Sequence, residues 1–557
     1  MAQLETPADA LPLLAYKIAP RQFDLSYRFS NISLRDQIVR GQTLVRTLKA
    51  TDLIPASQGS GQTPKFDLLI CGAGAAGLAA AKEAAELGMS FVLVERDGEV
   101  PGGVLSKDAD RYVSTAMYEW PHPNHTEHAY PLSHPALLGG EATSSSAFKL
   151  DLSEPVLVAE FGRKIASVLK DDIKMWSDNF DNLGKHKKPA RNLLIRNTTL
   201  SESSKRDLKK MLDEKVSIHG IPLSGTSLPN ITLDYRGPGD AKHFTFRFEY
   251  VVYAVGFAKE AVVYADEKKP YRNFEHSEFW AKDKVSEKHL GFGGNKPCIG
   301  ILGSGDGALQ DALRCMVDPV EFPHPLKIWE GMMERQPHPK YKPLKYSIHV
   351  REALARIAAA DCYTTSGAVW SHETHVFQSL DKAFNGIIDD LLKKERFKLT
   401  QVIGSMLRDD VKKVTIVTQR GHFSKSYALN RFLVLLFLKV LPLVRKKRGA
   451  TVDTVELELL SGVVTKFRRF GGHNRGAHIE IDRTKDRKCD LIIIRGGLDK
   501  KNSPSQLIGL THQDTGRAEL GRIPAPIRPV SIPNQHTATS TVPTGSPAPS
   551  RKVAVVS

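Results

Sequence analysis

Short apolar runs alternate with amphipathic stretches along most of the chain. Leu68-Leu69-Ile70-Cys71 predicts a buried strand, and the alanine- and glutamate-rich stretch from about Ala75 to Leu87 predicts a helix. Phe91-Val92-Leu93-Val94 predicts the next strand. Ser153, with Pro155 just inside, predicts a helix start that continues through Ile165 and Leu169. Leu193-Leu194-Ile195 reads as a further strand. Ile231, Leu233 and Tyr235, then Phe244, Phe246, Phe248 and Tyr250, alternate with polar residues on either side of a Gly-Pro-Gly turn. That is a hairpin pattern, and it runs into the strand Val251-Val252-Tyr253-Ala254. A second block offers strands at Cys298–Leu302, Leu326–Trp329, Val414–Val417 and Leu491–Ile494. Residues 340–410 between them look mostly helical and are too long for a simple crossover, so they read as an insertion. The alternation predicts an α/β fold with parallel sheets.

The ends differ from the middle. Residues 1–63 read as an N-terminal arm closing in a short linker, Gln58 to Pro64. From Gly521 onward the chain turns rich in Pro, Ser and Thr, and residues 521–557 are expected to be a disordered tail. The most apolar run, Phe432 to Val444, is interrupted by Lys439 and Pro442 and falls short of the roughly 20 residues a membrane span needs. The basic run Arg445 to Arg448 follows it. A buried helix with a cationic C-terminus fits that pattern; contact with a membrane surface is the alternative.

Composition narrows the class. With 41% hydrophobic and 25% charged residues over 557 positions, the chain is a globular protein of two to four domains, not a disordered or collagen-like one. The net charge of +16 favours anionic partners such as dinucleotides, nucleic acid or acidic lipid. The positive residues are dispersed and no nucleic-acid motif is present, which argues against nucleic acid. The five cysteines, at 71, 298, 315, 362 and 489, are too scattered for a disulfide scaffold or a zinc site. A reducing, cytoplasmic setting is the expectation. Glu5 and Asp9 spoil any signal-peptide pattern at the N-terminus.

The strongest chemical signal is Gly72-Ala73-Gly74-Ala75-Ala76-Gly77, set between a strand and a helix. Gly72 permits the tight turn, Gly74 lets the backbone approach a pyrophosphate, and Gly77 permits helix and strand to pack closely. The helix N-terminus offers N–H groups and a positive dipole to phosphate. Glu95, at the end of the following strand, stands where a carboxylate accepts hydrogen bonds from ribose hydroxyls. A second fingerprint, Gly303-Ser304-Gly305-Asp306-Gly307-Ala308, puts alanine at the third position, which the pattern allows. Read as the end of the next strand, Glu330 favours NADH over NADPH, although nearby Arg335 could reverse that. Asp306 sets negative charge beside the phosphate site, unless it points away and caps the helix.

Two such fingerprints separated by a hairpin resemble the two-dinucleotide-binding-domain flavoproteins, the fold shared by glutathione-reductase-like enzymes and flavin-containing monooxygenases. The likeness covers residues 65–500, loosely outside the motifs. It implies a Rossmann-like FAD domain over 64–290, split by an NAD(P)-binding domain over 291–480 that carries the insertion, with a return to the FAD domain over 481–520. It implies FAD on the first fingerprint and NADH or NADPH on the second. Val252 to Phe257 resembles the family's Ala-Thr-Gly strand end, with Val255 in place of threonine. Residues 96–150 lack the cysteine pair of the disulfide reductases. His276 and Trp280 keep the His-x-x-x-Trp half of the monooxygenase motif, while Pro270 and Arg272 occupy its Phe and Gly positions.

The resemblance also suggests that Gly102 and Gly103 follow the ribose-binding acid, and that the next loop passes near the flavin. There Arg111 would stabilise negative charge on reduced flavin, and Tyr118 and Trp120 would pack on a ring or substrate. His122, His125 and His128 are spaced by three, but Pro121 and Pro123 break any helix that would align them on a metal. His372 and His375 make a weaker metal case. Arg495-Gly496-Gly497 would turn the chain back toward the flavin, and Asp499 is the nearest candidate for a ribityl contact. The expected function is an FAD-dependent NAD(P)H oxidoreductase, in its finer form a monooxygenase of a small organic substrate. The rivals are a flavin oxidase and a nucleotide-binding regulatory protein without turnover.

Overall fold

The computed structural model describes, apart from a few short stretches within them, residues 13–25, 34–50, 63–121, 129–130, 150–213, 227–256, 278–368, 374–448, 454–469 and 477–496. His122, His125, His128, His134, His276, His372, Gly497, Asp499 and the tail lie outside them, as do the side chains of Cys362 and His375.

The first domain opens with β1 (Lys17–Ala19), β2 (Gln22–Asp24) and α1 (Leu34–Ala50). There follow β3 (Lys65–Cys71), α2 (Ala75–Glu86), β4 (Phe91–Val94), α3 (Val158–Val168), α4 (Lys170–Asp181), β5 (Asn192–Ile195), β6 (Thr198–Leu200), β7 (Ile231–Arg236) and β8 (Ala241–Tyr253). The sheet runs β1-β2-β8-β3-β4-β5, and β6-β7-β8 form a meander on its side. The first half of the long strand β8 pairs antiparallel with β7, and its second half lies parallel between β2 and β3. The predicted hairpin thus delivers a central strand. The helix expected from Ser153 starts instead at Val158, after a two-residue strand at Val156–Leu157.

The apolar runs are unbroken because both sheet faces are covered. Leu68, Ile70, Leu93 and Val252 join one buried cluster with α1 and α2, while Leu69, Cys71, Val92 and Val251 join another on the opposite face.

The second domain holds β9 (Cys298–Leu302), α5 (Asp306–Met316), α6 (Pro325–Glu334), α7 (Ile348–Ala368), α8 (Thr374–Met406), β10 (Lys413–Thr418), α9 (Ala428–Arg448) and β11 (Glu456–Ser461). A meander of β12 (Val464–Arg469), β13 (Ala477–Ile481) and β14 (Lys485–Cys489) leads to β15 (Leu491–Ile494). The parallel sheet is ordered β11-β10-β9-β15. The insertion is helical as expected. The run Phe432–Val444 lies inside α9, whose residues are largely buried in the core of this domain. No helix among the described residues is long and apolar enough to cross a membrane.

Two expectations about organisation are corrected. β1, β2 and α1 are no detached arm, since they add two strands and a helix to the first domain. The return to that domain over 481–520 is not seen in its described part, because β14 belongs to the second domain's meander and β15 pairs with β9.

Candidate functional site

The first fingerprint sits at the carboxyl edge of its sheet, between β3 and β8, where the strand order reverses and open α/β sheets bind ligands. Gly72 has φ +102°, and a Cβ on it would lie 2.5 Å from the carbonyl oxygen of Ala254. A Cβ on Gly77 would lie 1.8 Å from the carbonyl oxygen of Gly72. Gly74 is the extended N-cap of α2 and carries no side-chain cap, and a Cβ there would meet only the Gly102 carbonyl oxygen, at 3.7 Å. Helix N–H groups left uncapped beside open space are what a pyrophosphate requires. The residues therefore fit a dinucleotide.

Glu95 is buried and holds this loop. Its Oε2 accepts the Ala73 N–H at 2.7 Å and its Oε1 accepts the Asp97 N–H at 3.1 Å. Burial raises its pKa, against the lowering effect of those two backbone donors. A carboxylate has about four acceptor positions, so positions remain for ribose hydroxyls. Gly102 packs on it, since a Cβ there would lie 2.6 Å from Oε2, and the Gly102 N–H donates to the Ala73 carbonyl at 3.0 Å. Gly103, at φ +68°, begins the turn that leads away. Glu95→Gln keeps one acceptor oxygen and leaves one backbone N–H without its partner. We expect FAD affinity to fall about tenfold, roughly 1.4 kcal/mol, in a fluorescence titration of the apo protein.

Arg111 is placed elsewhere than expected. Its guanidinium is buried, donating to Asp311 Oδ1 at 2.6 Å, to Asp283 Oδ2 at 3.0 Å and to the Phe279 carbonyl at 2.8 Å, with the Phe279 ring 4.1 Å away. Every nitrogen has a partner, and Nη1 reaches Asp311 on α5, so Arg111 ties the two domains together rather than facing a flavin. Tyr118 and Trp120 also point across the junction. Tyr118 lies 4.7 Å from Tyr427, and Trp120 packs on Trp329 at 5.1 Å and Phe432 at 5.4 Å, ring centre to ring centre.

The second fingerprint repeats the backbone of the first. Gly303 has φ +152°, with the Arg495 carbonyl oxygen 2.3 Å from where its Cβ would be, and Gly305 is the extended, uncapped N-cap of α5. Ala308 is fully buried at the third position. Asp306 points away from α5's own end and fastens the chain before α9. It accepts the Tyr427 N–H at 3.0 Å and the Asn430 amide at 2.6 Å, while Gln310 donates to its other oxygen at 3.0 Å. Burial pushes its carboxyl up to about 6 despite these donors. The Ser424 N–H donates to the Ser304 carbonyl at 2.9 Å, so the segment after β10 lies against the glycine loop.

Glu330 does not end a strand. Leu326–Trp329 belongs to α6, where His324 caps the N-terminus by accepting the Lys327 N–H at 3.1 Å and Pro325 occupies the first turn. Glu330 faces solvent beside Lys327. The strand next to β9 is β10, beyond the insertion; it ends at Thr418 and the turn Gln419-Arg420 follows. The Gly303 N–H donates to the Val417 carbonyl as the Gly72 N–H does to that of Val94, so Thr418 holds the place of Glu95 and the nearest cation is Arg420, two residues further on; the sequence reading missed both because the insertion pushes the second strand about a hundred residues downstream.

Among the described residues no three His, Cys, Asp or Glu side chains are grouped as metal ligands. The thiols of Cys71, Cys315 and Cys489 are buried and pushed up to about 12.

Residues 67–128 match the model of the family described as FAD dependent oxidoreductase. No curated protein matches the chain. Among solved structures, the bacillithiol disulfide reductase Bdr of Bacillus cereus aligns with 78% of this chain and 78% of its own at 11% identity, TM-score 0.32. The Lactococcus lactis thioredoxin reductase aligns over 78% of each chain at 12% identity, TM-score 0.30. That of T. acidophilum aligns over 79% of each at 13% identity, TM-score 0.29.

Proposed function

We propose that this chain, whose first fingerprint lies in a segment matching the FAD dependent oxidoreductases, carries FAD on the first sheet and NADPH on the second. Electrons would pass from the nicotinamide to the flavin and on to oxygen or a small organic acceptor. The observation that carries the reading is the duplicated glycine geometry, Gly72/Gly74 and Gly303/Gly305, each at the carboxyl edge of a parallel sheet. Bound FAD supplies the two-electron redox chemistry. The protein holds the dinucleotide: uncapped N–H groups of α2 for the pyrophosphate, Gly74 for close approach, Glu95 for ribose hydroxyls.

Arg420 supports NADPH over NADH. A guanidinium in the turn just after the second strand is within reach of a 2′-phosphate, whereas a carboxylate at the strand end prefers the free hydroxyls. The finer reading, oxygenation of a small substrate, rests on His276 and Trp280, of which Trp280 packs edge-on against Phe279 at 5.0 Å.

The test is the visible spectrum of the purified protein, followed by NADPH and NADH added separately without oxygen. Bleaching of a flavin spectrum, faster with NADPH, is the expected result. Bound flavin that bleaches with neither donor would overturn the NAD(P)H step and favour an oxidase or a non-catalytic binding protein. Arg420→Ala should weaken NADPH binding between tenfold and about 100-fold, roughly 1.4–2.7 kcal/mol, and leave NADH nearly unchanged. Equal losses for both nucleotides would remove Arg420 from the 2′-phosphate.

A further inference from the structure

The N-terminal segment carries buried polar groups that neither fingerprint explains. β2 pairs parallel with β8, Gln22 opposite Val251 and Asp24 opposite Tyr253, so its C-terminal end reaches the same sheet edge as Gly72. The Leu25 N–H extends the pairing, donating to the Tyr253 carbonyl at 2.8 Å.

α1 then lies along α2. The two touch at Gly41, where a Cβ would sit 2.4 Å from the Ala76 carbonyl oxygen and 3.2 Å from the Ala80 nitrogen. Further on, Arg46 Nε donates to Glu83 Oε1 at 2.6 Å. Going from 41 to 46 on α1 moves from 76–80 to 83 on α2, so the helices run parallel. Equal rise per residue then carries the first turn of α1 back past Ala76, level with Gly72 to Gly74. Gln37, one turn before Gly41, lies on the same helix face.

Gln37 is 7% exposed and its Nε2 has no hydrogen-bond partner. Arg40 is 5% exposed and its Nη1 has none either, while its guanidinium stands over the Tyr16 ring at 5.1 Å. A buried donor without an acceptor is costly and rare in a native fold, and calls for a missing partner. Two such donors in the first two turns of a helix, at its positive end and beside a pyrophosphate loop, make an acceptor-rich anion the matching ligand.

We propose that β2 and α1 form a further wall of the FAD site, with Gln37 and Arg40 donating to acceptor oxygens of the bound dinucleotide. This rests on the reading that the first domain holds FAD. Preparing Gln37→Leu, Arg40→Met and Arg40→Lys in the full chain tests it, each compared with wild type for FAD dissociation constant and for thermal unfolding of the apo protein. Gln37→Leu and Arg40→Met should each weaken FAD about tenfold while apo unfolding changes far less, because Gln37 Nε2 and Arg40 Nη1 have no partner without ligand and Arg40→Met gives up only the stack on Tyr16. Arg40→Lys should recover part of the affinity. Wild-type protein that binds no FAD would overturn the underlying reading. Wild-type binding with variants of equal affinity would overturn this inference alone. A fall in apo stability matching the fall in affinity would also overturn it, by making the residues structural. Should Gln37→Leu not fold, Gln37→Met provides the same comparison.

Discussion

Gly77→Ala is expected to leave a chain that retains no FAD through gel filtration and unfolds more easily than wild type by at least about 3 kcal/mol, the upper end of ordinary overpacking. Its new methyl would lie 1.8 Å from the backbone carbonyl oxygen of Gly72 and 3.4 Å from the Ala254 side chain. No flexible side chain can yield there. Either α2 or the turn at Gly72 must shift, and Gly72 is already held at φ +102° against Ala254. Gly74→Ala should behave oppositely. Its backbone is ordinary extended, its methyl would meet nothing nearer than 3.7 Å, and apo stability should stay within about 1 kcal/mol. The same methyl would occupy the approach of the pyrophosphate, so FAD affinity should fall at least about 100-fold. Gly88→Ala is the control: φ is +67° with open space around it, so backbone strain of about 1 kcal/mol comes without loss of FAD. If Gly74→Ala binds FAD as wild type does, the fingerprint does not bind pyrophosphate. If Gly77→Ala unfolds as wild type does, the packing described is wrong.

The first fingerprint was legible because its physics is local. Turn, cap and helix contact all lie within six residues, and Glu95 follows after a single strand. The second was half legible. Its glycines read correctly, but the identity of the next strand depends on how far the chain travels before returning to the sheet. Leu326–Trp329 is a four-residue apolar run, too short for its period to separate strand from helix. The pair His324-Pro325, a cap and a first-turn proline, was the local signal for helix. Arg111, Tyr118 and Trp120 were misplaced for a different reason. Their partners, Asp311, Tyr427 and Phe432, lie 200 or more residues away in sequence, and no pattern along the chain reports such pairings. The contribution of β2 and α1 was hidden in the same way, since a three-residue strand has no periodicity to read.

Removing Asp311 should destabilise the protein as severely as any single change. Its carboxylate accepts from Arg111 at 2.6 Å, Arg495 at 2.7 Å and Arg314 at 3.0 Å, and it is fully buried. Burial works against its charge, but Arg111, Arg495 and Arg314 outweigh that and hold its pKa well below the usual carboxylate range. Asp311→Ala would leave three buried guanidinium groups with Asp283 as the remaining carboxylate of the cluster. Stranding buried charge in this way costs about 3–5 kcal/mol, measurable as a lower urea midpoint. The depressed pKa fixes the pH dependence: the stabilisation is complete above the unfolded value of about 4 and is lost as pH falls below it. Wild type and variant should therefore differ most near neutrality and converge in acid. The consequence reaches the second fingerprint, because the backbone of Arg495 lies against Gly303, and Arg111 ties the same cluster to the first domain. NADPH binding should weaken with stability, whereas Asp390→Ala, which breaks an exposed pair with Arg356, should change neither. An Asp311→Ala protein with an unchanged midpoint would show that the guanidinium groups find water, and that the junction between the domains does not depend on this carboxylate.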